Sequence, residues 1–266
     1  MNDRVISDIT DAIATVTLDM PDTRNAISDP GLCHGLIEAF EAISANHAVR
    51  CVILTGSGKS FCSGGNIHDL RNRTGMFGGD AVAVRNSYRD SVQKLIRTVW
   101  QCEVPVIAAV NGAAYGAGCD LAACCDIRLA GESAVFAENF TALGLVSGDG
   151  GAWLLPRQIG LSRAAEMTYT ADPVDAVKAL HWGLVSSVVT DDRLMAEATD
   201  LAARIARHPA HGLRLSKRLI REGMTATLDT LLELAGAYQG ALHQSDEHAA
   251  AMAALAAGRK AGPGKA

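Results

Sequence analysis

Short apolar runs that stop at glycine, alternating with stretches of helical period, constrain this chain more than any other feature. Cys51-Val52-Ile53-Leu54-Thr55 ends at Gly56-Ser57-Gly58, and Val106-Ile107-Ala108-Ala109-Val110 ends at Asn111-Gly112. Residues 12–18 and 126–130 read as further strands. Residues 30–47 place Leu32, Leu36, Phe40 and Ile43 on one helical stripe, and residues 80–101 do the same with Val84, Tyr88, Val92, Leu95 and Val99. A helix of small residues is expected over 117–125. Strand–helix alternation of this kind predicts an α/β layout. From Pro173 onward the pattern is mostly helical, over residues 192–208, 212–223 and 228–259, with a frayed tail at 261–266. The expected organisation is an α/β core over residues 1–190 and a helical C-terminal segment over 191–266. That segment would pack on the core or on a neighbouring subunit.

The chain is long enough, at 266 residues and 48% hydrophobic, for a large core. A formal net charge of -5 supplies no global basic field for nucleic acid, and 5% aromatics argues against base-stacking platforms. No apolar run reaches the roughly 18 residues of a membrane span. The start, Met1-Asn2-Asp3-Arg4-Val5, lacks the apolar stretch of a secretory leader. The 7 cysteines form no CxxC pair and no zinc spacing. A reducing, cytoplasmic location without disulfides or metal is the expectation.

Several nucleotide and nucleophile motifs fail. Gly58-Lys59-Ser60 follows a strand, but Ile53 stands where a phosphate loop needs its first glycine. No GxGxxG opens a helix and no GxSxG elbow occurs. His208 and His211 flank Pro209 without an adjacent acid and read as surface residues. Two strand-to-glycine segments remain, residues 54–67 and 105–122. The second runs straight into a helix start, where unpaired N–H groups and the helix dipole favour an anion. From composition alone, two ordinary turns explain them equally well.

Taken together, Arg24-Asn25-Ala26-Ile27, Phe61-Cys62-Ser63-Gly64-Gly65-Asn66, residues 105–121, Cys125-Asp126-Ile127-Arg128, residues 144–151 with Leu155-Pro156-Arg157, and Gly183-Leu184-Val185 resemble the enoyl-CoA hydratase/isomerase (crotonase) superfamily, in order and over residues 5–260. The resemblance implies a spiral of β-β-α units followed by helices that assemble a homotrimer or a dimer of trimers. It also implies an acyl-CoA thioester as substrate, with no separate cofactor because the substrate carries the coenzyme A. Two backbone N–H groups would hold the thioester oxygen as it becomes an enolate, and by position these are Gly65 and Ala117. Fixed donors of this kind are worth roughly 2.7–4 kcal/mol each. Arg24, Ala26, Ile27 and Ser63 would contact the CoA portion.

The resemblance also places the acid–base groups. Asp120 occupies the position of the first catalytic glutamate of the family, one methylene shorter, and a dipole-favoured acid in a first helical turn is the alternative. Phe140 stands where hydratases carry the second glutamate, which makes the pocket more apolar and tilts the chemistry from water addition toward double-bond migration. Glu138, two residues away, is expected to point elsewhere. Asp149 lies one residue beyond the position used by isomerase branches. It is read either as a proton carrier or as a cap of the helix opening at Ala152. Phe140 and Trp153 are assigned to the acyl pocket, while Trp182, Met76 and Phe77 default to core packing. Residues 67–80 correspond to a variable loop. The overall reading is an enzyme that hydrates a 2-enoyl-CoA or shifts its double bond. A non-catalytic acyl-CoA binding protein and an acyl-CoA thioester hydrolase are the alternatives.

Overall fold

The computed structural model describes residues 3–258. Strands β1 (Val5–Thr10) and β2 (Ile13–Leu18) form an antiparallel hairpin, turned by Asp11 and Ala12 at positive φ. Only β2 buries a face, through Ala14, Val16 and Leu18, so β1 serves as an exposed edge. Helix α1 (Pro30–Ala45) starts where Asp29 accepts the Leu32 N–H at 2.9 Å, with Pro30 pre-set for the first turn. Its stripe of Leu32, Leu36, Phe40 and Ile43 is buried, as the period predicts.

Three spiral turns follow. The first is β3 (Cys51–Gly56), β4 (Ser60–Cys62) and helices α2 (Ile67–Asn72), α3 (Ala81–Asp90) and α4 (Val92–Gln101). The second is β5 (Val106–Val110), β6 (Ala113–Tyr115) and α5 (Ala117–Cys124). The third is β7 (Ile127–Gly131), β8 (Val135–Ala137) and α6 (Gly151–Ile159) with α7 (Leu161–Thr170). Then come β9 (Val174–Asp175), α8 (Ala176–Trp182) and β10 (Ser187–Val189). In each turn the first strand joins a six-stranded sheet, in the order β1-β2-β3-β5-β7-β10. The second strand joins a smaller sheet, in the order β4-β6-β8-β9. Neighbouring turns pair in parallel in both sheets. Strands β3 and β5 are buried on both faces, which explains their unbroken apolar runs.

Helices α9 (Leu194–Ala206), α10 (Ala210–Glu222), α11 (Leu228–His243) and α12 (Asp246–Ala256) end the described chain. Leu194, Ala198, Ala202 and Ala206 of α9 pack on Ile53, Ile107, Ala109 and Leu129, closing the outer face of the large sheet. Helix α10 is anchored by charge. Lys217 Nζ lies 2.8 Å from Asp126 Oδ2, and Arg221 Nη2 lies 2.7 Å from Asp126 Oδ1. Helices α11 and α12 bury no residue and expose Leu228, Leu232, Met252 and Leu255.

The structure corrects several expected boundaries. The helix read over 80–101 is two helices, α3 and α4, broken at Ser91 (φ -118, ψ -99), whose Oγ donates to the Ser87 carbonyl. The stretch read as one helix over 228–259 divides at Gln244, and Ser245 caps α12 by accepting the His248 N–H. Strands β9 and β10 interrupt the region read as helical from Pro173. Arg259 and the tail at 261–266 lie outside the described residues.

Candidate active site

Strands β4 and β6 are parallel neighbours, with Cys62 paired to Ala114. The loops that leave their C-terminal ends therefore emerge side by side. After β4 the chain turns through Gly64 at φ +75. A Cβ there would stand 2.5 Å from the Tyr115 carbonyl and 2.9 Å from the Ala117 nitrogen, so only glycine lets the loops touch. After β6, Gly116 takes φ 52 and ψ -122 and starts α5. The N–H groups of Ser63, Gly64 and Asn66 are spent on Arg24 O, Cys62 Sγ and Ser28 Oγ. Among the described residues, neither the Gly65 nor the Ala117 N–H has a protein acceptor. Both residues line one pocket of about 450 Å³, within the usual range for a small-molecule site.

Asp149 reaches that pocket and Asp120 does not. The loop bearing Asp149 is fixed from three sides. Ser147 Oγ donates to Asp120 Oδ2 at 2.9 Å and accepts the Gly151 N–H at 3.0 Å, while Gln93 Nε2 donates to the Gly148 carbonyl at 2.8 Å. Gly150 is the N-cap of α6 and Ser147 holds the first free amide, so Asp149 does not cap the helix. Asp149 is buried, and its Oδ1 has no partner among the described residues. Burial, then the nearby Asp120 charge, pushes its pKa up to about 8.

Asp120 is fully buried behind the pocket wall and raised by burial, although Ser147 donates to it and Glu138 and Gly151 lie close by. Its position in the first turn of α5 turns it away from the cavity and toward Ser147 and Glu138, rather than toward the ligand space expected of it. Glu138 does not line the pocket either. It is fully buried and within hydrogen-bonding reach of Asp120. Desolvation first, and then the Asp120 charge, raise it to about 11. Its location was a usable signal: it directly follows β8, at the same end of the small sheet as the two glycine loops.

Of the other expected contacts, Arg24, Ser63 and Phe140 line the pocket. The Phe140 ring lies against Gly116, its Cζ 3.4 Å from where a Cβ would stand. Met76 and Phe77, read as core, line the pocket too. Ala26 and Ile27 do not: both are buried, and the Ala26 carbonyl accepts from Asp29 N. Asn25 pins this loop instead, donating to the carbonyls of Ser57 at 3.0 Å and Ser60 at 2.9 Å. Trp153 is also absent from the pocket. It stacks edge-on against Trp100 at 5.1 Å with the Arg157 guanidinium 4.1 Å over its ring, half-exposed on the surface. Trp182 is buried away from the cavity. All seven cysteines are free and buried, with Cys33, Cys51 and Cys62 pushed up to about 12, which leaves them neutral fillers. Among the described residues no group of three His, Cys, Asp or Glu could hold a metal ion.

Parallel β-β-α turns, with two adjacent glycine loops lining one cavity and a helical C-terminal segment, define a protein of the crotonase fold class. Residues 8–261 match the family described as Enoyl-CoA hydratase/isomerase, and the chain belongs to that family. It is 35% identical over 259 residues to the 1,2-epoxyphenylacetyl-CoA isomerase of Escherichia coli (strain K12), covering 97% of each chain. It is 34% identical over 260 residues to the crotonyl-CoA hydratase of Syntrophomonas wolfei, again covering 97% of each. The crystal structure of an enoyl-CoA hydratase from Bacillus anthracis superposes with a TM-score of 0.91 at 30% identity, covering 98% of this chain and 100% of that one.

Proposed function

We propose that this enzyme takes an enoyl-CoA thioester and moves its double bond, using Asp149 as the single proton carrier. The observation that carries the reading is that Asp149 is the carboxylate buried at the pocket wall, raised to about 8, with Phe140 among its fellow lining residues. Asp22, the other carboxylate lining the pocket, is exposed. Water addition needs one group to activate water and another to deliver a proton. Isomerisation needs one group that takes a proton from the α-carbon and returns it to the γ-carbon. Between those steps the thioester oxygen carries the enolate charge, with the Gly65 and Ala117 N–H groups as its donors. Arg24 and Ser63 sit on the CoA side, and Met76, Phe77 and Phe140 on the acyl side. One similar protein carries an isomerase name and another a hydratase name, so the family alone leaves both reactions open.

The coenzyme A of the substrate supplies the handle, so the reading includes no separate cofactor. It includes a homotrimer or dimer of trimers, supported by the exposed apolar side chains of α11 and α12. It includes a cytoplasmic location, supported by seven free cysteines. Among the described residues no helix is long and apolar enough to cross a membrane.

The test offers the enzyme a 3-enoyl-CoA and a 2-enoyl-CoA and follows the conjugated chromophore. The expected result is its appearance from the 3-enoyl thioester, with kcat/KM rising as pH climbs through about 8, where Asp149 becomes the base. Asp149→Asn should lower the rate by roughly 10²–10⁴ while CoA-thioester binding persists. Faster loss of the chromophore from the 2-enoyl thioester would assign hydration instead. Free-thiol release would assign thioester hydrolysis, and binding without turnover would assign a carrier.

A further inference from the structure

Three carboxyl groups, Asp120, Glu138 and Asp149, are buried between α5, the end of β8 and the loop before α6. Among the described residues, Asp120 Oδ1, both Glu138 oxygens and Asp149 Oδ1 have no donor. Four acceptors without a donor cannot all belong to ionised groups, because each would lose its hydration with nothing in return. Protons held within the cluster relieve this. Glu138 and Asp120 lie within hydrogen-bonding reach of each other, and Asp120 already accepts from Ser147 Oγ. Asp120 thus has the surroundings of the charged partner, and Glu138 those of the protonated one.

We propose that Glu138 is a positioning residue: it keeps its proton, donates it to Asp120, and so maintains one negative charge behind Asp149 that holds Asp149 ready to carry a proton near neutral pH. The proposal rests on the isomerase reading only for what Asp149 does with its proton. The other titratable groups around Asp149 are Tyr88 on α3, Cys33 on α1 and Cys62 on β4, and Cys119 on α5 faces both Glu138 and Asp120. Nearby cations bear on other groups: Lys94 on Cys33, Arg128 on Cys119 and Arg221 on Cys124. Removing the Glu138 donor leaves Asp120 a buried anion held by Ser147 alone, which takes up a proton itself. Its charge then vanishes, and Asp149 ionises more easily.

Infrared spectroscopy of the intact protein tests this without any substrate. At about pH 9.5, where ordinary carboxyls are ionised, one carboxylic-acid C=O band should remain, and Glu138→Gln should remove it. A second band, absent from Asp149→Asn, should titrate away near pH 8 in the native chain. In Glu138→Leu that titration should move about one pH unit lower, and Glu138→Gln, which still donates to Asp120, should restore it. The native spectrum carries half the test even if a variant folds poorly. Absence of the band at pH 9.5, or its survival in Glu138→Gln, overturns the assignment. An unmoved Asp149 titration in Glu138→Leu overturns the coupling, and an equal move in Glu138→Gln would mean that Glu138 had been the ion. If no enoyl thioester turns over while the bands behave as described, the isomerase reading fails and the proton assignment stands.

Discussion

Gly64 contributes no side chain to the pocket, yet the pocket depends on it. Its left-handed backbone and its approach to the Ala117 nitrogen let two loops share one wall. Gly64→Ala should therefore cost roughly 10²-fold or more in kcat, comparable to losing one oxyanion donor, with CoA affinity less affected. Steady-state kinetics with thioester binding measured separately would check it. At this scale, glycine after a strand marked the two turns in the sequence, while their reading as amide donors came from the family resemblance. The carboxylates were not legible. The position of Asp120 in a motif suggested a catalytic acid, but only packing decides whether a first-turn side chain faces a cavity or a neighbour. Glu138 stays out of the pocket, and nothing in a three-residue strand shows that it meets Asp120 instead. The chain turns just after Ala137, and the side chain enters the core.

Strands and helices with long, regular patterns were readable, and short ones were not. The expected runs at 51–55 and 106–110 match β3 and β5 closely because burial on both faces demands uninterrupted apolar residues. Strands β4, β6, β8 and β10 have three residues each, too few to show a period. Nor could the sequence show how α10 is secured. Burial alone would raise Asp126, but Lys217 and Arg221 hold it below the usual carboxylate range. Asp126→Ala would strand the buried Lys217 ammonium. A loss of roughly 3–5 kcal/mol is expected, measured by urea unfolding near neutral pH. The stabilisation from this pair exists above the ordinary aspartate range and is lost as pH falls through the lowered value.

For the molecule as a whole, the buried carboxyl cluster sets the pH dependence of stability. Asp149 and Glu138 are raised to about 8 and about 11. Above the ordinary carboxylate pKa, the unfolded chain has released protons that the native chain still binds. Stability therefore falls as pH rises from about 5 toward 8, with a negative slope by linkage. Thermal unfolding should show a higher midpoint at pH 5 than at pH 9. Asp149→Asn should flatten that slope and gain about 1–3 kcal/mol at pH 9, where an unpaired buried group no longer has to ionise. The small sheet also has a consequence for how such a molecule changes over generations. Its adjacent parallel strands stand about 4.8 Å apart whatever side chains they bear, so the spacing of the loop amides is inherited from the architecture. On the proposed reading, an acid exchanged for a phenyl ring, or an aspartate shifted by one position, would change the reaction without rebuilding the hold on the thioester.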